Sequence, residues 1–511
     1  MTTTRQVDMI ALAKAKGFAA ALDPTVTHTL ELIRAASATT GLVTQQTDPN
    51  LQSYAWLSPG VLTDDQTVIR VDHNLNAHHR LSGTFDYEIL TRDPDLQNNG
   101  DVRFPGATNW STYQAHRPLV SVTLRSVLSS NIVNELRGGA RWSPSYFGLQ
   151  DGVGPQTFAD TDGYSLTLGG SATGWTTTNT PSFRNAWNYQ FDDTLTWQRG
   201  KHNITLGGEL YYGNITLYNQ QTVPAITFGV AANDPVNAIF TTANFPGAST
   251  GQLSTAASIF ATLTGRVTGV SGQLVLDPST NQYQPFIRRT LQGVLNQYSA
   301  YAQDAWRVTS GLTINAGLRY AVQLPWSPSN SILSTATYTD ACGISGLNAG
   351  GTCNFFQPGA SAGQVPAFTQ LKKGDTGYKI DWNNFAPSIG FAWRPLVEHG
   401  FLRALLGDPD QAVIRGAFSV KYDLEGHQVF TDTYGGNPGA TLNIARTEAN
   451  GLLVPGGSSW PVYLSQTSRL GLADPCPVGS TNASCNPGSP TYPIAVRPGR
   501  ADSLNIFDPN I

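Results

Sequence analysis

Alternation with a period of two residues recurs along this chain and constrains its fold more than any other feature. The clearest segment is 203–212, in which every second residue is apolar, small or aromatic: Ile204, Leu206, Gly208, Leu210 and Tyr212. Successive side chains of a β-strand point to opposite faces, so this segment predicts a strand with one apolar and one polar face. The same pattern occurs in 81–89, 187–197, 312–323 and 414–423, and weaker forms occur in 66–75, 113–128, 130–142, 298–308 and 383–394. Together these segments predict about ten strands.

The connections between these segments alternate between short and long. Short links lie near 76–77, 129–130, 199–201 and 309–311, and a somewhat longer one at 395–410 belongs to the same side. Long links occupy 91–112, 143–185, 214–297, 325–382 and 425–511. A membrane barrel has tight turns at one rim and large loops at the other, whereas a soluble sandwich has no reason to separate its loops in this way.

Aromatic residues lie where such a barrel meets the two membrane surfaces. One set ends strands just before short links, and the other lies toward the long links: Trp197, Trp306 and Trp393 in the first, and Trp142, Tyr212, Tyr320 and Tyr422 in the second. This placement predicts two aromatic girdles. The alternative, that these residues form the core of a large sandwich, fits the separation of the loops less well.

Composition excludes several classes of protein. Only 13% of the residues are charged, about half of what a soluble α/β enzyme carries. No stretch of eighteen apolar residues exists, so no transmembrane helix is predicted. The net charge is -4 and no block of Lys and Arg stands out, which argues against a nucleic-acid partner. The sequence therefore predicts an all-β fold: an antiparallel transmembrane β-barrel of the bacterial outer membrane, in contact with its lipid, present as an open, partial barrel of about ten long strands.

Three regions follow from these patterns. Residues 1–65 are predicted to be loop-like, with two short helices in 6–37 broken near Asp23-Pro24, and no clean secretory signal is recognisable at the start. Residues 66–424 hold the barrel hairpins and their long extracellular loops. Residues 425–511 are predicted to be a long loop, cut off before further barrel strands.

Five hairpin segments resemble those of the Oar-like TonB-dependent receptors. They read VIRVDHNLNAHHRLS (68–82), KHNITLGGELY (201–211), YAQDAWRVTSGLTINAGLRY (301–320), DWNNFAPSIGFAWRP (381–395) and VIRGAFSVKYD (413–423). The resemblance rests on the order and spacing of the five segments more than on any single segment.

The resemblance implies a transporter whose barrel has about 22 strands around an N-terminal plug, with a TonB box that couples the plug to the inner membrane. Nothing before Gln66 is similar to a plug or a TonB box, so the TonB complex is expected to act through a region of a longer parent protein. The implied function is transport of an unknown solute across the outer membrane. The alternatives are a passive pore, a structural or surface-binding outer-membrane protein, and a non-functional fragment.

Charged residues on the polar faces of the strands are the candidate functional positions, because they would line a wet lumen. They are Arg125, Glu209, Arg319, Arg415 and Lys421. The alternative is that each only satisfies its neighbours in hydrogen-bonded ladders.

The four cysteines fall into two close pairs in loop-like segments. We expect disulfides between Cys342 and Cys353 and between Cys476 and Cys485. Four free thiols, or one zinc site built from all four, are the alternatives.

No metal, cofactor or catalytic site is predicted. His73, His78 and His79 surround the first turn without an accompanying Cys or carboxylate arrangement, so a solvated turn is favoured. The segment 160–163 (DTDG) does not complete a calcium loop. No G-x-S-x-G motif and no coherent set of nucleophile and base is present, so an enzyme is not expected.

Overall fold

The computed structural model describes residues 6–98, 102–108, 111–148, 155–176, 180–335, 369–395, 399–407, 411–424, 426–437, 439–449, 451–454 and 460–472. All statements below concern these residues.

Ten long strands form one antiparallel sheet, which confirms the predicted fold class. They are β3 (Val61–Asn74), β4 (His79–Asp93), β5 (Tyr113–Ser129), β6 (Ile132–Arg141), β9 (Ser182–Arg199), β10 (His202–Asn219), β14 (Arg289–Thr309), β15 (Leu312–Gln323), β19 (Phe385–Trp393) and β20 (Ile414–Ser419). Each pairs with the next one along this list, so the order in space follows the order in the chain. Within the described residues β3 and β20 are the two edges of this path, and the short strands β7 (Ser145–Phe147) and β16 (Ser327–Pro328) extend it locally.

The register sorts side chains into an apolar and a polar face of this main sheet. Leu206 lies opposite Leu195 and Ala302, and Ala302 lies opposite Leu318. Leu206 and Leu318 are 42% and 47% exposed, which is the state expected of side chains whose environment is lipid. Glu209, three residues after Leu206 on β10, lies on the other face, opposite Asp192 and Ser299.

Aromatic side chains form one band near each end of the apolar face. At the end with the short links, the ring of His202 stacks on Trp306 at 5.4 Å between centroids. Toward the other end, Trp187 contacts Tyr189 and Tyr212 at 5.4 and 5.5 Å. Trp187 lies ten residues before Trp197 on β9, about 34 Å along a strand and about 26 Å across a membrane at the usual barrel tilt. That separation matches the hydrocarbon thickness that an outer-membrane barrel spans.

The long connections are not simple loops, because they fold into a second layer with its own sheet and core. This outer sheet consists of β8 (Ser165–Thr167), β11 (Ala225–Phe228), β12 (Val267–Asp277), β13 (Gln282–Pro285) and β21 (Thr441–Thr447). Two small hairpins stand apart from it: β1 (Leu42–Gln45) with β2 (Gln52–Ala55), and β17 (Ser334–Thr335) with β18 (Thr369–Gln370).

Five α-helices and four 3-10 turns complete the described elements. The helices are α1 (Met9–Ala15), α2 (Pro24–Thr39), α3 (Thr250–Leu263), α4 (Phe401–Leu406) and α5 (His427–Tyr434). The turns are Leu96–Asn98, Pro155–Thr161, Pro235–Ile239 and Thr467–Arg469. None of the described helices is long and apolar enough to cross a membrane.

The largest core joins this outer layer to the polar face of the main sheet. Val270 and Leu276 of β12 and Phe430 of α5 belong to the same buried cluster as Leu291 and Leu295 of β14. Leu291 and Leu295 share a face with Ser299, so the polar face becomes apolar where β14 rises out of the membrane-spanning region. The outer layer therefore covers the outer ends of the strands from the polar side.

The region boundaries differ from those predicted. β3 begins at Val61, before residue 66, and the segment 1–65 contains a β-hairpin besides its two helices. The segment 425–511, predicted to be a loop, contains α5 and β21 in its described part. The sequence pattern did not show these elements because they are short and take their stability from partners far away in the chain, β14 for α5 and β12 for β21.

Candidate functional site

The polar face of the main sheet carries a hydrogen-bonded charge network at mid-strand. Arg319 on β15 donates to the Oε2 atom of Glu209 at 3.0 Å and to the hydroxyl of Ser299 at 2.9 Å. The register explains this geometry, because Ser299 lies opposite Glu209 on one side and Ala321 on the other, two residues from Arg319. Glu209 and Arg319 keep 26% and 44% of their side-chain surface exposed, so the pair is wet and orients its partners more than it stabilises the sheet.

Tyr301, on the same polar face of β14, reaches across β10 to β9. Its ring lies over Gly207 on β10, where an added Cβ would come within 2.4 Å of the ring. The hydroxyl then reaches the Oγ1 atom of Thr194 on β9 at 3.2 Å. A glycine at 207 is therefore what allows the phenol to lie flat across the sheet and present its hydroxyl to the polar side.

A second polar cluster lies on β4 and β5. The guanidinium of Arg117 donates to Glu88 at 2.7 Å and to the hydroxyl of Tyr113 at 2.9 Å. Arg117 was not among the predicted positions, although the alternation in 81–89 already placed Glu88 on the polar face. Arg117 lies in 113–128, a weaker alternating segment on the next strand. Its charge on the polar face was the signal that could have identified it as the partner of Glu88.

A cavity of about 580 Å³ opens at the outer end of β15, β19 and β20. Arg319 and Lys421 both line it, together with Lys379, Asp381 and Asp423. Three cationic and two acidic side chains thus surround this space, which is large enough for a small molecule.

The five predicted positions do not form one site. Glu209 and Arg319 are in contact, and Lys421 shares the cavity with Arg319. Arg415 lies on β20 opposite Ala392, toward the short links, and Arg125 lies on β5 opposite Arg80 and Glu135. Arg415 and Arg125 are therefore separate from the network.

A second cavity, of about 550 Å³, lies between α5 and the outer ends of β9, β10 and β14. Its lining includes two arginines and one histidine: Arg184, Arg289 and His427. Burial lowers the pKa of Arg289 and the pKa of His427 from their ordinary values. His427 belongs to the outer layer, and Arg289 is the first residue of β14, beyond the aromatic band around Trp187.

The remaining sequence predictions concern the four cysteines and possible metal sites. Cys342, Cys353, Cys476 and Cys485 all lie outside the described residues, so both disulfides stay predictions. Within the described part of the chain, no group of three or more His, Cys, Asp or Glu side chains is arranged to hold a metal ion. Asp160 instead accepts a hydrogen bond from the indole nitrogen of Trp175 at 3.2 Å.

Comparison with known proteins decides the family. The sequence model of the outer membrane beta barrel domain matches residues 3–506, nearly the whole chain. The chain belongs to the outer membrane beta barrel domain family. This barrel domain is accordingly a protein of the bacterial outer membrane, and its apolar face is the surface that meets lipid.

Three solved structures illustrate what the barrel domain is similar to. The ferric citrate transporter FecA in its unliganded form is 10% identical, with a TM-score of 0.30 over 66% of this chain and 34% of FecA. The ferripyoverdine receptor of Pseudomonas aeruginosa is 11% identical, with a TM-score of 0.32 over 66% of this chain and 34% of the receptor. The ferric-catecholate import receptor Fiu of Escherichia coli K12 in its open form is 13% identical, with a TM-score of 0.33 over 71% of this chain and 47% of Fiu.

The chain thus spans about a third of the first two of these proteins and less than half of the third. No curated protein matches the barrel domain significantly.

Proposed function

We propose that this chain contributes the wall and the outer layer of a transporter that moves a solute across the outer membrane. The observation that carries the proposal is the polar network of Glu209, Ser299 and Arg319, which lies at mid-strand on the face opposite the lipid-facing Leu206 and Leu318. Charged groups at membrane depth persist where they face water or one another, so this face is expected to border an aqueous path.

The finer part of the proposal is that the transporter is an Oar-like TonB-dependent receptor. The support is the order of the five hairpin segments between residues 68 and 423. In this proposal the parent protein contacts the TonB complex and couples uptake to inner-membrane energy. No enzymatic activity is part of it.

A second candidate is a surface-binding protein whose outer layer captures a partner without transport. The observation that favours it is the size of the outer layer, whose sheet and helices share a core with Leu291 and Leu295 of the main sheet. A passive pore is the third candidate.

Depletion of solutes from a mixed medium separates these functions. A strain that lacks the gene and a complemented strain are grown in the medium, with and without a protonophore, and the remaining solutes are measured by mass spectrometry. Energised transport predicts at least one solute whose uptake needs both the gene and the proton gradient. Uptake that survives the protonophore, together with conductance in a planar bilayer, would indicate a passive pore, and no gene-dependent uptake would leave surface binding.

The predicted disulfides belong to the same proposal, because loops on the outer side lie in an oxidising compartment. We expect Cys342–Cys353 and Cys476–Cys485 bridges, each adding about 2 to 3 kcal/mol. Peptide mapping without reductant checks them, and four alkylated thiols would exclude both.

A further inference from the structure

In the described part of the chain, the cavity under α5 is lined by cationic side chains and by no carboxylate. Its floor is the polar side of three strands, and the register places Ser182, Asn219 and Arg289 in one row across them. The next row holds Arg184, Leu217 and Leu291. Both arginines thus rise from the same face toward α5, and no Asp or Glu occurs among the described residues that line the cavity.

Helix α5 forms the roof. His427, Gln428, Thr431 and Gly435 face the cavity, one helical turn apart along the same side. The helix is held close because Gly293 has no side chain: an added Cβ there would meet the ring of Phe430 at 2.4 Å. Asp432 of this helix accepts a hydrogen bond from Gln428 at 2.8 Å but does not line the cavity, so the roof adds no carboxylate to the described lining.

Three polar atoms at this cavity are buried without a hydrogen-bond partner in the described structure: the Nε atom of Arg289, the Nε2 atom of His427 and the Oδ1 atom of Asn219. One terminal nitrogen of Arg289 donates to the carbonyl of Gly435, which fixes the guanidinium between strand and helix. Arg184 is held by the ring of Phe147, 4.6 Å from its guanidinium carbon. Arg289 is partly buried and Arg184 is exposed. A guanidinium with a buried nitrogen normally has a carboxylate or phosphate partner, and none comes from the described residues that line this cavity.

Apolar side chains form part of the floor. Ile215, Leu217 and Leu291 lie on the same face of the sheet as Arg184 and Arg289 and line the cavity beside them. A bound molecule would therefore contact apolar side chains and, next to them, the guanidinium groups of Arg184 and Arg289. The volume of about 550 Å³ lies in the range of small-molecule sites.

We propose that this cavity binds a small organic anion, with its carboxylate or phosphate group between Arg184 and Arg289 and its apolar part against Leu217 and Leu291. The inference deepens the proposed function by naming a ligand class, and as a statement about solute capture it rests on that function. Binding itself is measured without transport, so the two can fail separately.

The test is calorimetric titration of the chain, purified from outer membranes in mild detergent, with 1-naphthoate and with 1-naphthyl phosphate. The neutral 1-naphthamide controls for partition into the micelle and the apolar wall. The key variant is Arg289→Gln, and the matched control is Arg288→Gln, because Arg288 directly precedes β14 and lies over the ring of Tyr218 instead of lining the cavity. Far-ultraviolet circular dichroism checks that each variant is folded. If Arg289→Gln does not fold, Arg184→Gln serves as the second test.

We expect at least one of the two anions to bind, with affinity reduced at least tenfold in Arg289→Gln or Arg184→Gln and less than twofold in Arg288→Gln. The anion that binds more tightly then identifies the head group. Equal binding of 1-naphthamide, equal losses in Arg288→Gln and Arg289→Gln, or no binding of either anion at millimolar concentration would overturn the proposal.

Discussion

At the scale of single residues, one buried arginine ties distant segments of the outer layer together. Arg266 is 2% exposed and donates to Asp234 at 2.9 Å, to Thr264 at 2.7 Å and to the carbonyl of Ala19 at 2.7 Å. Its guanidinium also lies 4.9 Å from the ring centre of Phe260. Every nitrogen of this group is therefore engaged, which is the condition under which a buried charge is tolerated.

Replacement of Arg266 by Met is expected to destabilise the outer layer by about 3 to 5 kcal/mol, because Asp234 would stay buried without its partner. Urea unfolding measures this loss, and limited proteolysis should cut the 16–23 segment faster once the contact with Ala19 is gone. Arg288→Met is the control, since Arg288 is an exposed cation over an aromatic ring and its loss should cost about 0.5 to 1 kcal/mol. Equal effects of the two variants would contradict the anchoring role.

We expect His427 to make the docking of α5 dependent on pH. Burial lowers its pKa in the folded protein, so the unfolded chain binds a proton more readily than the folded chain does. Stability therefore rises with pH between the folded and the ordinary pKa, and it is lost as the pH falls below about 6.5. Hydrogen exchange of residues 427–434, corrected for intrinsic rates, should show faster opening at low pH in the wild type and no such change in His427→Gln. An unchanged pH profile in His427→Gln would assign the effect to another group.

At the scale of elements, the alternation was enough to find every long strand of the main sheet. All ten predicted segments correspond to strands of that sheet. Each strand turns one face to lipid and the other to a polar interior, so apolar and polar side chains must alternate along it. Their outer ends were underestimated: β9 begins at Ser182 and β14 at Arg289, where the outer layer makes both faces partly buried and the alternation fades.

The face assignment can be tested by charge. Leu318→Arg should destabilise the folded state in lipid by about 2 to 4 kcal/mol, because Leu318 lies on the apolar face near the middle of β15. Gln323→Arg on the same strand should cost far less, since Gln323 lines the cavity shared with Arg319. Folding titrations into lipid vesicles compare the two variants. Equal destabilisation would mean that the faces are assigned the wrong way or that neither face meets lipid.

The helices of the outer layer were harder to predict, and the reasons differ. α3 carries a sequence signal, because Ser249 and Gln252 form a reciprocal capping box that their three-residue spacing could have revealed. α5 carries none: its N-cap is Gly426, without a side-chain hydrogen bond, and its position depends on Phe430 packing against β14. Such a contact links residues more than a hundred positions apart and leaves no local pattern.

Gly293→Ala tests how tightly α5 is held. The new Cβ would overlap the ring of Phe430, so we expect a loss of about 1 to 3 kcal/mol confined to α5 and its neighbours. Hydrogen exchange should locate the loss to residues 427–434. Gly208→Ala is the control, because a Cβ there would meet only the Ser299 carbonyl oxygen at 3.4 Å, an ordinary contact. Equal protection of α5 in both variants would mean that Phe430 can move aside freely.

At the scale of the whole molecule, the sequence located polar-face positions but not the site they form. Glu209 and Arg319 were selected separately, and only the register of β10, β14 and β15 brings them into contact. The cavity under α5 was not predicted at all, since its roof and floor come from three regions of the chain that have no shared motif. The sequence shows which positions of a predicted strand are charged. It does not show which strands and helices come together around a cavity.

The main sheet also has two edges whose backbone groups lack a strand partner among the described residues. All residues of β3 are exposed, and so are five of the six residues of β20. An unpaired N–H or C=O in hydrocarbon costs several kcal/mol, so these edges must pair with something in lipid. Direct pairing of β3 with β20 would require strand tilt and register to change together along the sheet. We therefore predict that the 511-residue chain alone does not close into a compact barrel.

Cysteine cross-linking tests this prediction in a background in which the four native cysteines are replaced by serine. Gly390→Cys with Ala417→Cys is the positive control, because these positions are register partners on β19 and β20. Val68→Cys with Ala417→Cys probes closure between the two edges, on the polar face of each. After refolding in detergent, we expect the control pair to cross-link within one chain and the edge pair not to, with no heat-dependent shift on a gel. An efficient edge cross-link in a protease-resistant, heat-modifiable monomer would show that β3 and β20 find each other, and the open-sheet prediction would then be wrong.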